Sequence, residues 1–113
     1  MKVAVITGAS QGIGAGLAAA FRRAGYAVVG TSRTIGPSDE ADFLTVPGDI
    51  AKPEAARRVV QQTLGRFGRI DTLVNNAGTF IGKPFTDYAL DDTVDSGRAA
   101  SIRVAMAHRS FPV

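Results

Sequence analysis

Val3-Ala4-Val5-Ile6-Thr7-Gly8-Ala9-Ser10-Gln11-Gly12-Ile13-Gly14 is the stretch on which the fold turns. Residues 3–6 are a continuous apolar run rich in β-branched side chains, the pattern of a strand buried on both faces, as in a parallel sheet. Gly8, Gly12, Gly14 and Gly16 follow at once. Ile13, Leu17, Ala20, Phe21 and Ala24 then recur at helical spacing and give one apolar face, and Gly25 stands where a helix is usually ended. Glycine suits such a turn for three reasons: the chain reverses tightly, its backbone can approach an anionic group closely, and the helix can pack hard against the strand. The helix N-terminus then offers unpaired N–H groups and a partial positive charge, which suits a phosphate. A plain strand-to-helix turn is the competing reading. The strand before, the helix after and the length of the unit favour phosphate binding.

Working outward, Ala27-Val28-Val29 marks a second strand at about Tyr26–Ser32. Residues 34–42 are polar and contain Gly36-Pro37-Ser38-Asp39, a loop. A short third strand at about Phe43–Val46 leads into Pro47-Gly48-Asp49. The next helix runs from about Pro53 to Phe67, with Pro53 in the first turn where a missing N–H costs little. Ala56, Val59 or Val60, Thr63 or Leu64, and Phe67 make its buried stripe, and Gly68 ends it. Its N-cap falls at Ala51 or Lys52, a poor cap that costs about 1 kcal/mol against Ser or Asp. The fourth strand is about Thr72–Asn75. This alternation argues for an α/β fold with a parallel sheet and right-handed crossovers. The expected strand order is 3-2-1-4, doubly wound, with flanking helices. Pro84 to Asp92 offers the start of a helix, with Phe85, Ala89 and Leu90; after the interruption at Asp95-Ser96-Gly97, Ala99, Ile102, Ala105 and Met106 give only a weak apolar face. Residues 93–113 read as an atypical tail on a single unit formed by residues 1–92.

The chain has 113 residues, 45% hydrophobic and 20% charged, enough for one domain and too apolar for disorder. It has no Cys and only one His, His108, so disulfide scaffolds and thiolate metal sites are excluded and a metal site is not expected. The net charge is +3, with arginine pairs scattered along the chain (Arg22/Arg23, Arg57/Arg58, Arg66/Arg69). Nucleic-acid binding would gather them on one face, so they read as solvated helix faces and no nucleic-acid partner is expected. No apolar run approaches a bilayer span, and the N-terminus does not read as a signal peptide. The expectation is a cytoplasmic protein with no membrane partner.

Thr7-Gly8-Ala9-Ser10-Gln11-Gly12-Ile13-Gly14 resembles the TGxxxGIG motif of the short-chain dehydrogenases/reductases. Asn75-Asn76-Ala77-Gly78 is similar to their NNAG motif, Gly48-Asp49-Ile50 to the acidic dipeptide after their third strand, and Phe67-Gly68-Arg69-Ile70-Asp71 to the lead into strand four. The resemblance extends to about residue 92. It implies the cofactor-binding half of a Rossmann fold and hydride transfer between a nicotinamide dinucleotide and a carbonyl or alcohol substrate. It also assigns residues. Gly8, Ser10, Gly12, Gly14 and the backbone of Ile13 would hold the pyrophosphate, and a side chain at Gly14 would take the phosphate's place. Asp49 would accept from the adenine amino group and Ile50 would pack on its face. Asn75, Ala77 and Gly78 would line the adenosine ribose and steady strand four. At the end of strand two, Thr31-Ser32-Arg33-Thr34 carries no acid until Asp39. A carboxylate there would take the ribose 2′-OH of NAD, whereas Arg33, with the Ser32 hydroxyl, suits the 2′-phosphate of NADP, so NADP is the expected cofactor and NAD the lesser one.

The resemblance breaks at catalysis. The family uses a Tyr whose pKa is lowered by a Lys four residues later, because an ordinary Tyr near 10 is a poor acid–base at neutral pH. Here Tyr26 is followed four residues on by Gly30 and Tyr88 by Asp92, the only lysines are Lys2, Lys52 and Lys83, and the only asparagines are Asn75 and Asn76. No catalytic residue is assigned. The chain therefore reads as a truncated oxidoreductase, taking substrate only if the missing half is supplied. The alternative is a non-catalytic NADP-binding or regulatory module that pairs with a full-length relative. A further expectation concerns the sheet edge. Residues 79–113 offer no clear strand, so strand four would expose an unpaired edge, a template for self-association.

Overall fold

The computed structural model describes residues 1–10, 12–76 and, as backbone, 103–106. Strand β1 is Val3–Thr7, helix α1 Gly12–Arg23, β2 Ala27–Ser32, β3 Phe43–Pro47, α2 Pro53–Phe67, β4 Thr72–Asn75 and β5 Arg103–Met106. All strand pairs are parallel, and the sheet order is β3-β2-β1-β4-β5. The order 3-2-1-4 is the one expected from the sequence.

The fifth strand corrects one expectation. β5 pairs with β4 from Thr72↔Arg103 to Asn75↔Met106, so β4 is not an exposed edge. Arg103-Val104-Ala105-Met106 is too short a run to separate strand from helix by periodicity, and pairing with β4 settles it. The helix expected from Pro84 lies outside the described residues.

β1 is buried along its whole length, as its unbroken apolar run requires. Alternation along the strands sorts their side chains into two cores. Val3, Val5, Ala27, Val29 and Leu73 meet Ala56, Val59 and Val60 of α2 on one face. Ile6, Val28 and Val74 meet Ala18 of α1 on the other, with Leu17 and Phe21 packed against them. The helices thus lie on opposite faces, and the winding reverses between β1 and β4.

α1 is rotated from its expected face. Gly14, Leu17, Ala18 and Phe21 turn inward, while Ile13, Ala20 and Ala24 turn out. The cause is the close approach at Gly14 described below, which fixes the helix's rotation. Tyr26 stays outside β2, its ring edge-on to Phe21 at 4.9 Å. α2 buries Ala55, Ala56, Val59, Val60 and Thr63, close to the expected stripe. Its N-cap is Lys52, without a side-chain cap, and Gly68 closes it in the left-handed region (φ 80°), its N–H donating to the Leu64 carbonyl at 2.9 Å.

Arginines tie the helices to β3. Arg22 pairs with Glu40 and with Asp42 and lies over the Phe43 ring. From α2, Arg58 donates to the Pro47 carbonyl at 2.6 Å and Arg66 to that of Ala41 at 3.1 Å.

At the opposite end of the sheet from the glycine-rich turn, Asp71 joins β1 to β4. Its carboxylate accepts from the Val3 N–H at 2.8 Å and from Arg69 at 2.6 and 2.8 Å, and its own N–H donates to the Val3 carbonyl at 2.9 Å. Burial pushes the carboxyl pKa up, but Arg69 and the Val3 N–H outweigh it and hold it below the usual range. Asp71→Asn is expected to lower stability at neutral pH by about 1–3 kcal/mol, the range for hydrogen bonds to a charged group. A depressed folded pKa contributes stability that is complete above the unfolded value near ~3.9 and lost as pH falls through the folded one. Thermal melts down to about pH 2.5 should show the gap between the two proteins holding to about pH 4 and closing below it. A gap that is constant throughout would contradict the assignment.

Candidate functional site

The C-terminal ends of β1, β2 and β3 and the residue after β4 surround a cleft of about 870 Å³ at the point where the winding reverses. Open α/β sheets bind ligands in this position. Beneath it runs a row of aligned, buried residues: Val46, Thr31, Thr7 and Asn75.

The glycine-rich turn begins with Gly8 at φ 65°. Its backbone is held from both sides: the N–H donates to the Thr31 carbonyl at 2.8 Å, and the carbonyl accepts from Asn76 Nδ2 at 3.2 Å. The Ala9 N–H shares the Thr31 carbonyl at 3.3 Å. Gly12 is also left-handed, at φ 63°, and a Cβ there would meet nothing within 4 Å. It opens α1 toward the cleft, and the first turn of α1 carries no acidic side chain to offset the helix dipole.

Of the reasons for glycine in this turn, Gly14 meets the one of close packing. A Cβ there would lie 1.8 Å from the Gly8 carbonyl oxygen and 2.7 Å from Asn76 Nδ2. It is absent from the cleft wall. Gly14 brings α1 against the turn and is not space kept for a phosphate.

Of the other expected residues, Gly8, Ser10, Gly12, Ile13, Ser32, Arg33, Asp49 and Ile50 all line the cleft. Ile13 is 51% exposed, a large apolar side chain open at the cleft mouth. Ser32 Oγ accepts from the Thr34 N–H at 3.3 Å, and Arg33 is exposed with no ion pair among the described residues. Asp49 Oδ1 accepts from the Ala51 N–H at 3.1 Å, so one carboxylate oxygen is committed to its own turn. Asn75 does not reach the cleft. It is buried, its Oδ1 accepting from the Thr7 hydroxyl at 3.0 Å, and it stitches β4 to β1. Ala77 and Gly78 lie outside the described residues.

Asn76 lines the cleft in place of Asn75, its N–H donating to Thr7 Oγ1 at 3.0 Å. The switch follows from strand alternation, which sends neighbouring side chains to opposite sides. Thr31, Thr34, Gly48 and Ala51 also line it. The sequence offers Thr34 as a hydroxyl donor beside Arg33 and Gly48 as part of the motif with Asp49, whereas Thr31 and Ala51 are marked only by adjacency to assigned residues. Two buried polar atoms of the cleft wall, Thr31 Oγ1 and Asn76 Oδ1, have no partner among the described residues. Such atoms, with an unneutralised helix N-terminus and an uncommitted guanidinium, fit a polar, phosphate-bearing ligand.

The family model described as short chain dehydrogenase matches residues 2–104. The chain belongs to the short-chain dehydrogenases/reductases, a family of oxidoreductases. The match passes residue 92 and reaches into β5, farther than the motifs alone extend. An uncharacterized oxidoreductase of Mycobacterium tuberculosis is 36% identical over 119 residues, covering 95% of this chain and 43% of that protein. A short-chain dehydrogenase structure from Streptomyces avermitilis superposes with TM-score 0.72 at 27% identity, over 92% of this chain and 49% of the other. L-sorbose reductase of Gluconobacter frateurii, solved in complex with NADPH and L-sorbose, superposes with TM-score 0.60 at 38% identity, over 69% of this chain and 34% of that one. The chain spans less than half the length of the curated relatives it matches.

The two glycines should separate in a stability test. Gly14→Ala forces backbone apart and is expected to cost about 1–3 kcal/mol, as overpacking does, or more. Gly12→Ala pays only for a left-handed L-residue, about 1–2 kcal/mol, and keeps the helix in place. Denaturant unfolding of both variants, with a far-UV spectrum of each, would check this. Equal costs would mean that the Gly14 contact yields more easily than its geometry implies.

Proposed function

We propose that this chain binds a nicotinamide dinucleotide across the cleft, NADP(H) in preference to NAD(H), and supplies the cofactor-holding part of an oxidoreductase acting on a carbonyl or alcohol. The observation that carries the preference is Arg33, exposed at the C-terminal end of β2 on the cleft wall without an ion pair among the described residues. Asp49 is the one carboxylate lining the cleft among the described residues, and it stands after β3, away from the β2 position that would take a ribose 2′-OH. The guanidinium offers a fork of donors to a 2′-phosphate, and the Ser32 and Thr34 hydroxyls lie beside it. The NADPH in the L-sorbose reductase relative supports the same reading. The turn at Gly8 and Gly12 and the N-terminus of α1 would hold the pyrophosphate, and Asp49 with Ile50 the adenine. The cofactor, when bound, supplies the hydride; the chain's task is to hold and orient it.

The 113 residues contain no Tyr-x-x-x-Lys pair to manage the substrate proton. The chain by itself is therefore a binding unit, and turnover depends on further sequence or on a full-length relative. With β4 paired on both sides, the outermost strand on that side of the sheet among the described residues is β5.

Fluorescence titration of NADPH and NADH tests the reading. Arg33→Ala should weaken NADPH by about 1–3 kcal/mol and leave NADH nearly unchanged. Equal loss for both, or none, would refute the assignment of Arg33. Steady NADPH oxidation by the pure chain with a panel of carbonyl compounds would refute the statement that it only binds.

A further inference from the structure

Thr31 stands out among the polar residues beneath the cleft. In the aligned row at the strand ends, the Thr7 hydroxyl donates to Asn75 Oδ1 and accepts from the Asn76 N–H. Asn76 Nδ2 donates to the Gly8 carbonyl. Thr31 is just as buried, at 1% exposure, and its carbonyl is used twice, by Gly8 and Ala9. Its hydroxyl oxygen has no partner among the described residues, yet Thr31 lines the cleft. A buried hydroxyl without a partner is unfavourable and uncommon in a folded protein. Valine would fill the same strand position with the same branching and without that cost. Among the described residues nothing uses the Thr31 hydroxyl, so its use is to be sought in what enters the cleft.

The side of the sheet on which it lies narrows the choice. Thr31 alternates with Ala27 and Val29, whose side chains pack on the α2 face together with Ile50. Ile50 lines the cleft as well, and α1 with its glycine-rich turn lies on the other face. Thr31 therefore stands on the α2 side of the sheet, the side on which Ile50 packs at the cleft.

We infer that Thr31 Oγ1 is a hydrogen-bonding group for the adenosine half of the bound dinucleotide, an affinity-giving contact separate from Arg33. The inference rests on the dinucleotide-binding reading above and adds a contact common to both cofactors. A hydroxyl can donate to a ribose oxygen or ring nitrogen and accept from a ribose hydroxyl or an amino group. Its contribution does not depend on a 2′-phosphate. Thr31 and Arg33 should then differ in kind: Arg33 discriminates between the two cofactors, and Thr31 strengthens both.

The test compares wild type, Thr31→Val and Thr31→Ser by titration with NADPH, with NADH and with adenosine 2′,5′-bisphosphate, which lacks the nicotinamide half. Thermal melts of the free proteins are run in parallel. Thr31→Val should bind all three probes about tenfold more weakly, the loss of one hydrogen bond, with a melting temperature equal to or above wild type. Thr31→Ser should restore binding to within about threefold, since it keeps the hydroxyl. Unchanged binding by Thr31→Val overturns the inference. So does weaker binding accompanied by a lower melting temperature, because the hydroxyl would then have a partner in the free protein. A loss confined to NADPH and NADH, with the bisphosphate unaffected, overturns the placement at the adenosine half. If wild type binds none of the probes, the dinucleotide reading itself falls and the inference falls with it, an outcome distinct from equal binding by wild type and variant.

Discussion

The backbone of Gly8 is the point on which the molecule depends. Thr31 takes its N–H and Asn76 holds its carbonyl, so β2 and the end of β4 grip it from the two sides of β1. The same carbonyl faces the backbone of Gly14, so closely that no side chain fits between them. The strand ends, the turn and the first coil of α1 are thereby locked into one rigid piece. The rotation of α1 follows, with Gly14, Ala18 and Phe21 inward and Ile13 outward at the cleft mouth. So does the direction of the helix N-terminus, whose exposed N–H groups are the part of the fold suited to an anion. A close-packed backbone contact thus does what side-chain ligands do in many other sites: it places the donors before a ligand arrives.

Most of the fold was legible because its decisive elements are written in short-range patterns. The run Val3–Ile6 admits little but a strand buried on both faces, and the expected stripe on α2 holds at Ala56, Val59, Val60 and Thr63, while Phe67 is only partly buried and Ala55 joins the stripe. The parts that were not legible are those set by tertiary contact. Periodicity alone gave α1 an apolar face containing Ile13, Ala20 and Ala24, since nothing in a one-dimensional pattern shows that Gly14 must touch Gly8. β5 was missed for a related reason: four residues with no strong alternation become a strand because β4 offers them a partner.

The candidate site divides in the same way. Gly8, Gly12, Arg33 and Asp49, which the family resemblance and the position at a strand end single out, do line the cleft. Asn75 and Asn76 could not be told apart, because which of two adjacent side chains faces the cleft depends on where β4 ends. Gly14 was readable as necessary, but the sequence does not say which group it makes room for, a ligand or the neighbouring Gly8 carbonyl. Thr31 gave no signal, because a threonine at a strand end is ordinary. Only the hydrogen bonds formed around it reveal that its hydroxyl was left over.

The other margin of the sheet has its own protection. Among the described residues β3 pairs with β2 alone, and an outer strand is where sheets of different molecules can join. Arg58 and Arg66, two turns apart on α2, occupy the carbonyls of Pro47 and Ala41 at either end of that strand. Pro47 has no N–H to offer. An arriving strand would have to displace two charge-assisted hydrogen bonds to gain a short and interrupted ladder. The arginine pairs that read in the sequence as a solvated helix face are, in part, a fastening that keeps the open margin from acting as an adhesive.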